Sequence, residues 1–353
     1  MGKGGRRFLA AGVGALAAAT ASGRIISWRD GRRPDPARED ELGSLRGEIR
    51  VIRGPRATRL YTEWFPSSGA VGTVLFTHGY CLTEAVWHYQ KRDLSGGKFG
   101  VAMWDLPGHG HSPGLSPGSL TLEYCADALA RVIDEYSDGS VVLVGHSLGG
   151  VVTMGYLSRH PETAARMVKG VVLASTPVMH FANSVAGRWP GAGLEAQAIG
   201  KVMQYVVESD LTERVLGRDT GGEDLGLSYR MVRWGFGRRP SPSQVLFVRD
   251  SIASVRPDVR AETYRIMTGH DLTPMLPKVQ MPAMVMIGDR DRLVNPRESM
   301  AMARGLPRAT VVRYPDAGHA MFLEEHETFN ADLKRFAERR LRGNGRQGGK
   351  QSA

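Results

Sequence analysis

Leu143-Val144-Gly145-His146-Ser147-Leu148-Gly149-Gly150 decides how this chain is read. Apolar strand residues run into a G-x-S-x-G spacing with Ser147 at its centre. A serine at the tip of a sharp strand-to-helix turn sits in strained backbone. Glycines on either side let the helix pack back against the strand, so the hydroxyl stands exposed at the top of a sheet. The preceding Val141-Val142-Leu143-Val144 is β-branched and apolar, as a buried parallel strand requires. The residues after it, Leu148 to Arg159, suit a helix that stops before Pro161.

Such a serine acts only with a base and an acid that orients the base, and both types occur downstream. Residues 283–288 form another apolar run, followed by Asp289-Arg290-Asp291-Arg292. Residues 310–314 form one more, followed by Pro315-Asp316-Ala317-Gly318-His319. Each candidate therefore falls in a loop at the C-terminal end of a strand, where open α/β sheets place their chemistry. His319 would take the Ser147 proton, and a carboxylate, Asp289 or Asp291, would fix the imidazole tautomer and stabilise the imidazolium.

Over residues of about 50 to 340 the chain resembles serine hydrolases of the α/β-hydrolase superfamily. Five motifs in the family's order carry the resemblance: Thr77-His78-Gly79-Tyr80, Asp105-Leu106-Pro107-Gly108-His109-Gly110-His111-Ser112, the Ser147 turn, Gly288-x-x-Asp291 and Asp316-Ala317-Gly318-His319. The resemblance implies an α/β fold: a mostly parallel central sheet, helices on both faces and an inserted helical cap. It implies a triad of Ser147, Asp291 and His319, because in the family the acid lies three residues after the strand-ending glycine, which prefers Asp291 to Asp289. It also assigns an oxyanion hole to the backbone N–H groups of Tyr80 and Leu148. The activity implied first is hydrolysis of carboxylic esters through an acyl-enzyme, of esterase or lipase type, with no cofactor and no metal. A second implied activity is that of a cofactor-free haloperoxidase or perhydrolase using the same triad. A third, from another class, is a non-catalytic, membrane-tethered ligand-binding protein. Epoxide hydrolases and dehalogenases of the superfamily carry Asp where this chain has Ser147.

The other histidines within these motifs have plainer roles. His78 is expected to order the oxyanion loop, His109 and His111 to sit in a Pro/Gly turn, and His146 to pack sideways. Together with Asp105 they match no metal-ligand spacing such as H-E-x-x-H. Cys81 and Cys125 are the two cysteines and read as free thiols. Cys81 reads as a small packing residue whose thiol could sensitise the enzyme to thiol reagents.

The net charge is +10 over 353 residues, but residues 1–53 carry +5 and residues 334–353 carry +6, so the body between them is nearly neutral. That excludes a nucleic-acid surface on the folded domain and leaves the basic ends for anionic lipid. Lys3, Arg6 and Arg7 precede an Ala/Gly-rich uncharged stretch from Phe8 to Gly23, which reads as a membrane-associated helix, an export signal or a soluble tail. Localisation follows from that choice: membrane-associated or exported, with a cytoplasmic protein as the alternative.

The organisation expected is an N-terminal apolar segment and charged linker over 1–48, the first half of the hydrolase core over 49–175, a helical cap over 176–280, the second half over 281–341 and a disordered tail over 342–353. Strands are expected at 58–65, 71–77, 99–105 and 170–175, with helices at 84–95, 120–136, 296–305 and 322–341. Within the cap, helices are expected around 194–209, 223–235, 243–255 and 259–267. The Trp, Phe and Met residues there, among them Trp189, Trp234 and Phe236, point to a pocket for a small apolar ester.

Overall fold

Residues 24–137, 139–179 and 225–342 are described by a computed structural model. Strand β5 (Val141–His146) shows how the sequence builds it. Val141 and Leu143 enter one apolar cluster while Val142 and Val144 enter another, the two-residue period of a pleated strand with both faces covered. The other strands are β1 (Glu48–Arg53), β2 (Arg59–Phe65), β3 (Thr73–Thr77), β4 (Gly100–Trp104), β6 (Val168–Ala174), β7 (Ala283–Gly288) and β8 (Ala309–Tyr314). They form one eight-stranded sheet in the order β1-β2-β4-β3-β5-β6-β7-β8. Pairing is parallel from β4 through β8, and antiparallel where β2 meets β1 and β4.

Helices cover both faces. They are α1 (His88–Leu94), α2 (Leu122–Tyr136), α3 (Leu148–Arg159), α4 (Pro161–Met167), α5 (Leu225–Gly235), α6 (Pro242–Ser254), α7 (Pro257–Gly269), α8 (Pro296–Gly305), α9 (Met321–Glu324) and α10 (His326–Leu341). Leu129, Val132 and Ile133 of α2, Val151 and Val152 of α3 and Met302 of α8 pack on the face of Leu75, Leu143 and Leu173. Tyr89 and Leu94 of α1, Phe322 of α9 and Phe329, Leu333 and Phe336 of α10 pack on the face of Phe76, Val144 and Met284.

The strand order sets the position of the chemistry. From β3 the chain crosses to β4 on one side, and from β5 it crosses to β6 on the other. The loops after β3 and β5 therefore diverge and leave a crevice between them. The parallel register pairs Thr77 with Gly145, so two residues further on Gly79 lies beside Ser147.

Several expectations change. Strand β1 escaped the sequence pattern because its Ile49 and Val51 stay exposed on an edge strand, with charged residues between them. The expected helix at 84–95 is a 3₁₀ turn (Glu84–Trp87) leading into α1, and the terminal helix divides into α9 and α10 at Glu325. Residues 24–47, expected as a linker, are docked on the body. Residues 24–30 are helical, and Asp30 is buried and paired with Arg233 at 3.1 Å and with the Tyr229 hydroxyl at 3.2 Å. Asp35 accepts hydrogen bonds from Ser241, the N-cap of α6, from the Ser243 backbone N–H at 3.1 Å and from the Ser243 hydroxyl at 2.6 Å, which ties the segment to the start of that helix. Tyr89 donates to Asp40 at 2.6 Å. The acidic side chains that made this segment look solvated are counter-groups for the body. Residues 1–23, the expected helix at 194–209 with Trp189, and residues 343–353 lie outside the described residues. No helix among the described residues is long and apolar enough to cross a membrane.

Asp35→Ala leaves the Ser241–Gln244 capping box of α6 but removes the acceptor shared by Ser241 and Ser243, and is expected to lower stability by about 1 kcal/mol, read as a lower urea midpoint with an unchanged slope. A chain started at residue 48 is expected to lose more than one started at residue 24, because it loses the Asp30 and Asp40 contacts as well.

Candidate active site

Ser147 stands at the turn between β5 and α3 with φ 52° and ψ −116°, a conformation that costs a non-glycine residue about 1–3 kcal/mol. Packing holds it there. A Cβ on Gly145 would lie 2.5 Å from the Cα of Gly150, and one on Gly149 would collide with the carbonyl of Thr77 on β3. Glycine at both positions is what lets α3 descend onto β3 and β5. The Ser147 N–H is tied to the Ala174 carbonyl at 2.9 Å, which locks the turn to β6.

The loops after β7 and β8 meet at Asp291 and His319. His319 Nδ1 lies 2.9 Å from Asp291 Oδ2, and Asp291 is 2% exposed. The other carboxylate oxygen accepts the N–H groups of Leu293 at 2.8 Å and Val294 at 2.9 Å, which fixes the carboxylate and stabilises its charge. Asp289 faces the other way and pairs with Arg313 at 2.8 Å. With Nδ1–H donated to Asp291, the lone pair of His319 is left on Nε2, the nitrogen a hydroxyl donor needs. Among the described residues no hydrogen bond joins His319 to the Ser147 hydroxyl; what brings the two loops together is His146. Its Nε2 donates to the His319 carbonyl at 3.0 Å, and the two rings lie 4.7 Å apart. His146 was expected only to pack sideways; it ties the residue next to Ser147 to the loop of His319. Burial, with the His319 charge second, pushes its imidazole well below the ordinary histidine range, so it acts as a neutral donor.

The loop after β3 is held by His78. Its Nδ1–H donates to the Gly79 carbonyl at 2.8 Å while Nε2 accepts the Leu106 N–H at 3.0 Å, an arrangement only the neutral ring can make. Burial lowers its pKa accordingly. The N–H groups of Tyr80 and Leu148 have no hydrogen-bond acceptor among the described residues. Asp105 accepts the N–H of Glu84 and of His111, each at 2.8 Å, and burial followed by the Glu84 charge pushes its carboxyl up to about 8. Asp105, His78 and the 108–112 turn are thus occupied with backbone, and among the described residues no three His, Cys, Asp or Glu side chains form a metal cluster. Cys81 and Cys125 are free and fully buried, and burial pushes both thiols up to about 12, away from the reactive thiolate.

Glu324 was not anticipated from the sequence. Half-buried near the His319 loop, it accepts the N–H of Gly318 at 2.9 Å and that of Gly237, just past α5, at 2.6 Å. The His319 N–H donates to the Gly235 carbonyl at 2.7 Å, and the Arg238 N–H to the Asp316 carbonyl at 2.9 Å. The helical insertion between β6 and β7 is therefore stitched to the His319 loop, with one carboxylate bridging both. Burial pushes Glu324 up to about 7.

Glu324→Gln presents an amide N–H to one of these backbone donors and is expected to lower kcat/KM about tenfold, one lost hydrogen bond. In the wild type the clamp is complete above about pH 7 and loses an acceptor below it, so the acidic limb of the rate profile should flatten in the variant. Stability runs the other way. A raised carboxyl pKa favours the folded state most at low pH, and that advantage is lost as pH rises through about 7. The unfolding temperature of the variant relative to wild type should therefore increase between pH 5 and pH 8.

Comparison with known proteins agrees with this architecture. Residues 72–326 match the family model described as the alpha/beta hydrolase fold. The chain is 30% identical over 264 residues to a pimeloyl-[acyl-carrier protein] methyl ester esterase of Salmonella typhimurium, covering 72% of this chain and 90% of that one. It is 24% identical over 281 residues to the protein of that name from Vibrio atlanticus, covering 79% and 99%. Among solved structures it resembles a thermophilic esterase from Thermogutta terrifontis, with TM-score 0.65, 25% identity and coverage of 83% and 99%. A bromoperoxidase from Bacillus anthracis shares the fold with TM-score 0.67 and 19% identity, covering 82% and 99%. The chain belongs to the α/β-hydrolase fold family.

Proposed function

We propose that the protein is a serine hydrolase that cleaves carboxylic esters through an acyl-enzyme on Ser147. The observation that carries this is the His319–Asp291 hydrogen bond of 2.9 Å, with Asp291 held on its other oxygen by two backbone N–H groups, on a loop tied by His146 to the strained turn of Ser147. Esterase names among the relatives support the same reaction class. His319 Nε2 takes the hydroxyl proton as Ser147 Oγ attacks the ester carbonyl. Asp291 stabilises the imidazolium, and the tetrahedral oxyanion is received by the N–H groups of Tyr80 and Leu148. The imidazolium then protonates the leaving alcohol. Water, deprotonated by the same nitrogen, releases the acid. Helix α7 supports a cap at this crevice: Tyr80 Oη donates to the Arg260 carbonyl of α7 at 3.2 Å, and the Tyr80 ring meets Tyr264 edge-on.

A fluorophosphonate probe is expected to label the wild type and not Ser147→Ala, whose ester hydrolysis should fall by about 10⁴ or more. Labelling retained on Ser147→Ala would remove that serine as nucleophile. Asp291→Asn is expected to lower kcat by about 10⁴, as loss of the orienting carboxylate does, while Asp289→Asn, which breaks only its pair with Arg313, should stay within about threefold. The reverse pattern would move the acid to Asp289.

A further inference from the structure

Arg260 on α7 is the one buried arginine among the described residues, 4% exposed, and its Nε and Nη1 have no hydrogen-bond partner. A guanidinium keeps its proton, so an arginine buried in this way holds a charge that no described side chain compensates, one of the most costly states a side chain can occupy. Among the described residues, the acidic side chains nearest it in the helix are engaged elsewhere. Asp258, two residues earlier, pairs with Arg256 at 2.6 Å, and Glu262, two residues later, accepts the N–H groups of Gly118 at 2.5 Å and Leu120 at 3.2 Å. The Tyr80 phenol and the Cys81 thiol lie close enough to feel its charge, and burial keeps both protonated at neutral pH. Arg260 sits over the oxyanion loop: its own carbonyl accepts the Tyr80 hydroxyl, and its helix neighbours Ala261 and Tyr264 pack with Tyr80.

We propose that Arg260 is a specificity-determining residue that receives an oxyanion carried by the substrate, a carboxylate or a phosphate, beside an otherwise apolar wall. This rests on the ester-hydrolase reading above and narrows its substrate class from neutral apolar esters to esters bearing a negative charge away from the scissile bond. Tyr80, Ala261 and Tyr264 would take the carbon chain and Arg260 its charged end. An unpartnered cation has the least to lose and the most to gain when such a group arrives, because water need not be stripped from an already satisfied pair.

The test uses two substrate pairs on the full chain: monomethyl adipate against methyl heptanoate, and S-hexanoyl-4′-phosphopantetheine against S-hexanoyl-pantetheine. The wild type should prefer the anionic member of at least one pair by about 10- to 100-fold in kcat/KM, the range of a charge-assisted hydrogen bond, and the pair that responds names the oxyanion. Arg260→Met should bring that ratio close to one and unfold at a higher temperature, since it removes an uncompensated buried charge. Arg260→Lys should keep part of the preference, and it decides the matter if the Met variant does not fold. No preference in either pair, or a preference that survives Arg260→Met, overturns the proposal. If neither pair is hydrolysed, a p-nitrophenyl ester and the fluorophosphonate probe judge the ester reading separately, and Arg260 is judged by binding alone. Adipate or phosphopantetheine should then raise the unfolding temperature of the wild type but not of Arg260→Lys to the same extent, and absence of any shift overturns the proposal.

Discussion

The close approach of α3 to strands β3 and β5 is the constraint on which the site depends. A Cβ on Gly149 would strike the carbonyl of Thr77, and one on Gly145 would strike the backbone of Gly150. With glycine at both places the helix can start directly under Ser147, and the strained φ of 52° is held by the register of β5 between β3 and β6. The strain is local and small beside the burial of Val141 through Val144 on both faces of the sheet, so the fold can keep a serine in a geometry the isolated chain would abandon.

From that constraint the remaining geometry follows by register. Pairing of Thr77 with Gly145 puts Gly79 beside Ser147, and pairing of Gly288 with Tyr314 brings the loops of Asp291 and His319 side by side. His78 and His146, both neutral because they are buried, use their ring nitrogens on backbone groups of these loops. Glu324 does the same from α9, reaching both the His319 loop and the segment after α5. The helical insertion is thereby mechanically joined to the base, and its position bears on the orientation of the imidazole as well as on the pocket.

What the sequence made legible was whatever depends on short-range spacing. The strand-turn-helix pattern around Ser147, the apolar runs at 283–288 and 310–314 and the Pro-started helix at 296–305 all have local physical signatures, and the observed elements coincide with them. Less legible was everything that depends on which charge meets which. Asp30, Asp35 and Asp40 read as solvated residues of a linker, and only the fold shows them bound to Arg233, Ser243 and Tyr89. Lys91 lies fully buried between Glu63, at 2.8 Å, and Glu84, although nothing in a lone Lys on a short helix announces an ion cluster. Glu324 and Arg260 belong to the same class: their neighbours come from segments tens of residues away, so their surroundings are invisible until the chain is folded.

The central claim, that Ser147 takes the acyl group of the ester with its proton removed by His319 aligned through Asp291, is tested most directly by rapid mixing with a p-nitrophenyl ester followed by acid quench and mass spectrometry. A burst of nitrophenol of about one equivalent per chain is expected, with an acyl mass added to the peptide containing Ser147. In Asp291→Asn the burst should slow by orders of magnitude, with the same peptide still the one modified. Hydrolysis with no acyl adduct under any quench time, or an adduct on a peptide that lacks Ser147, would contradict it.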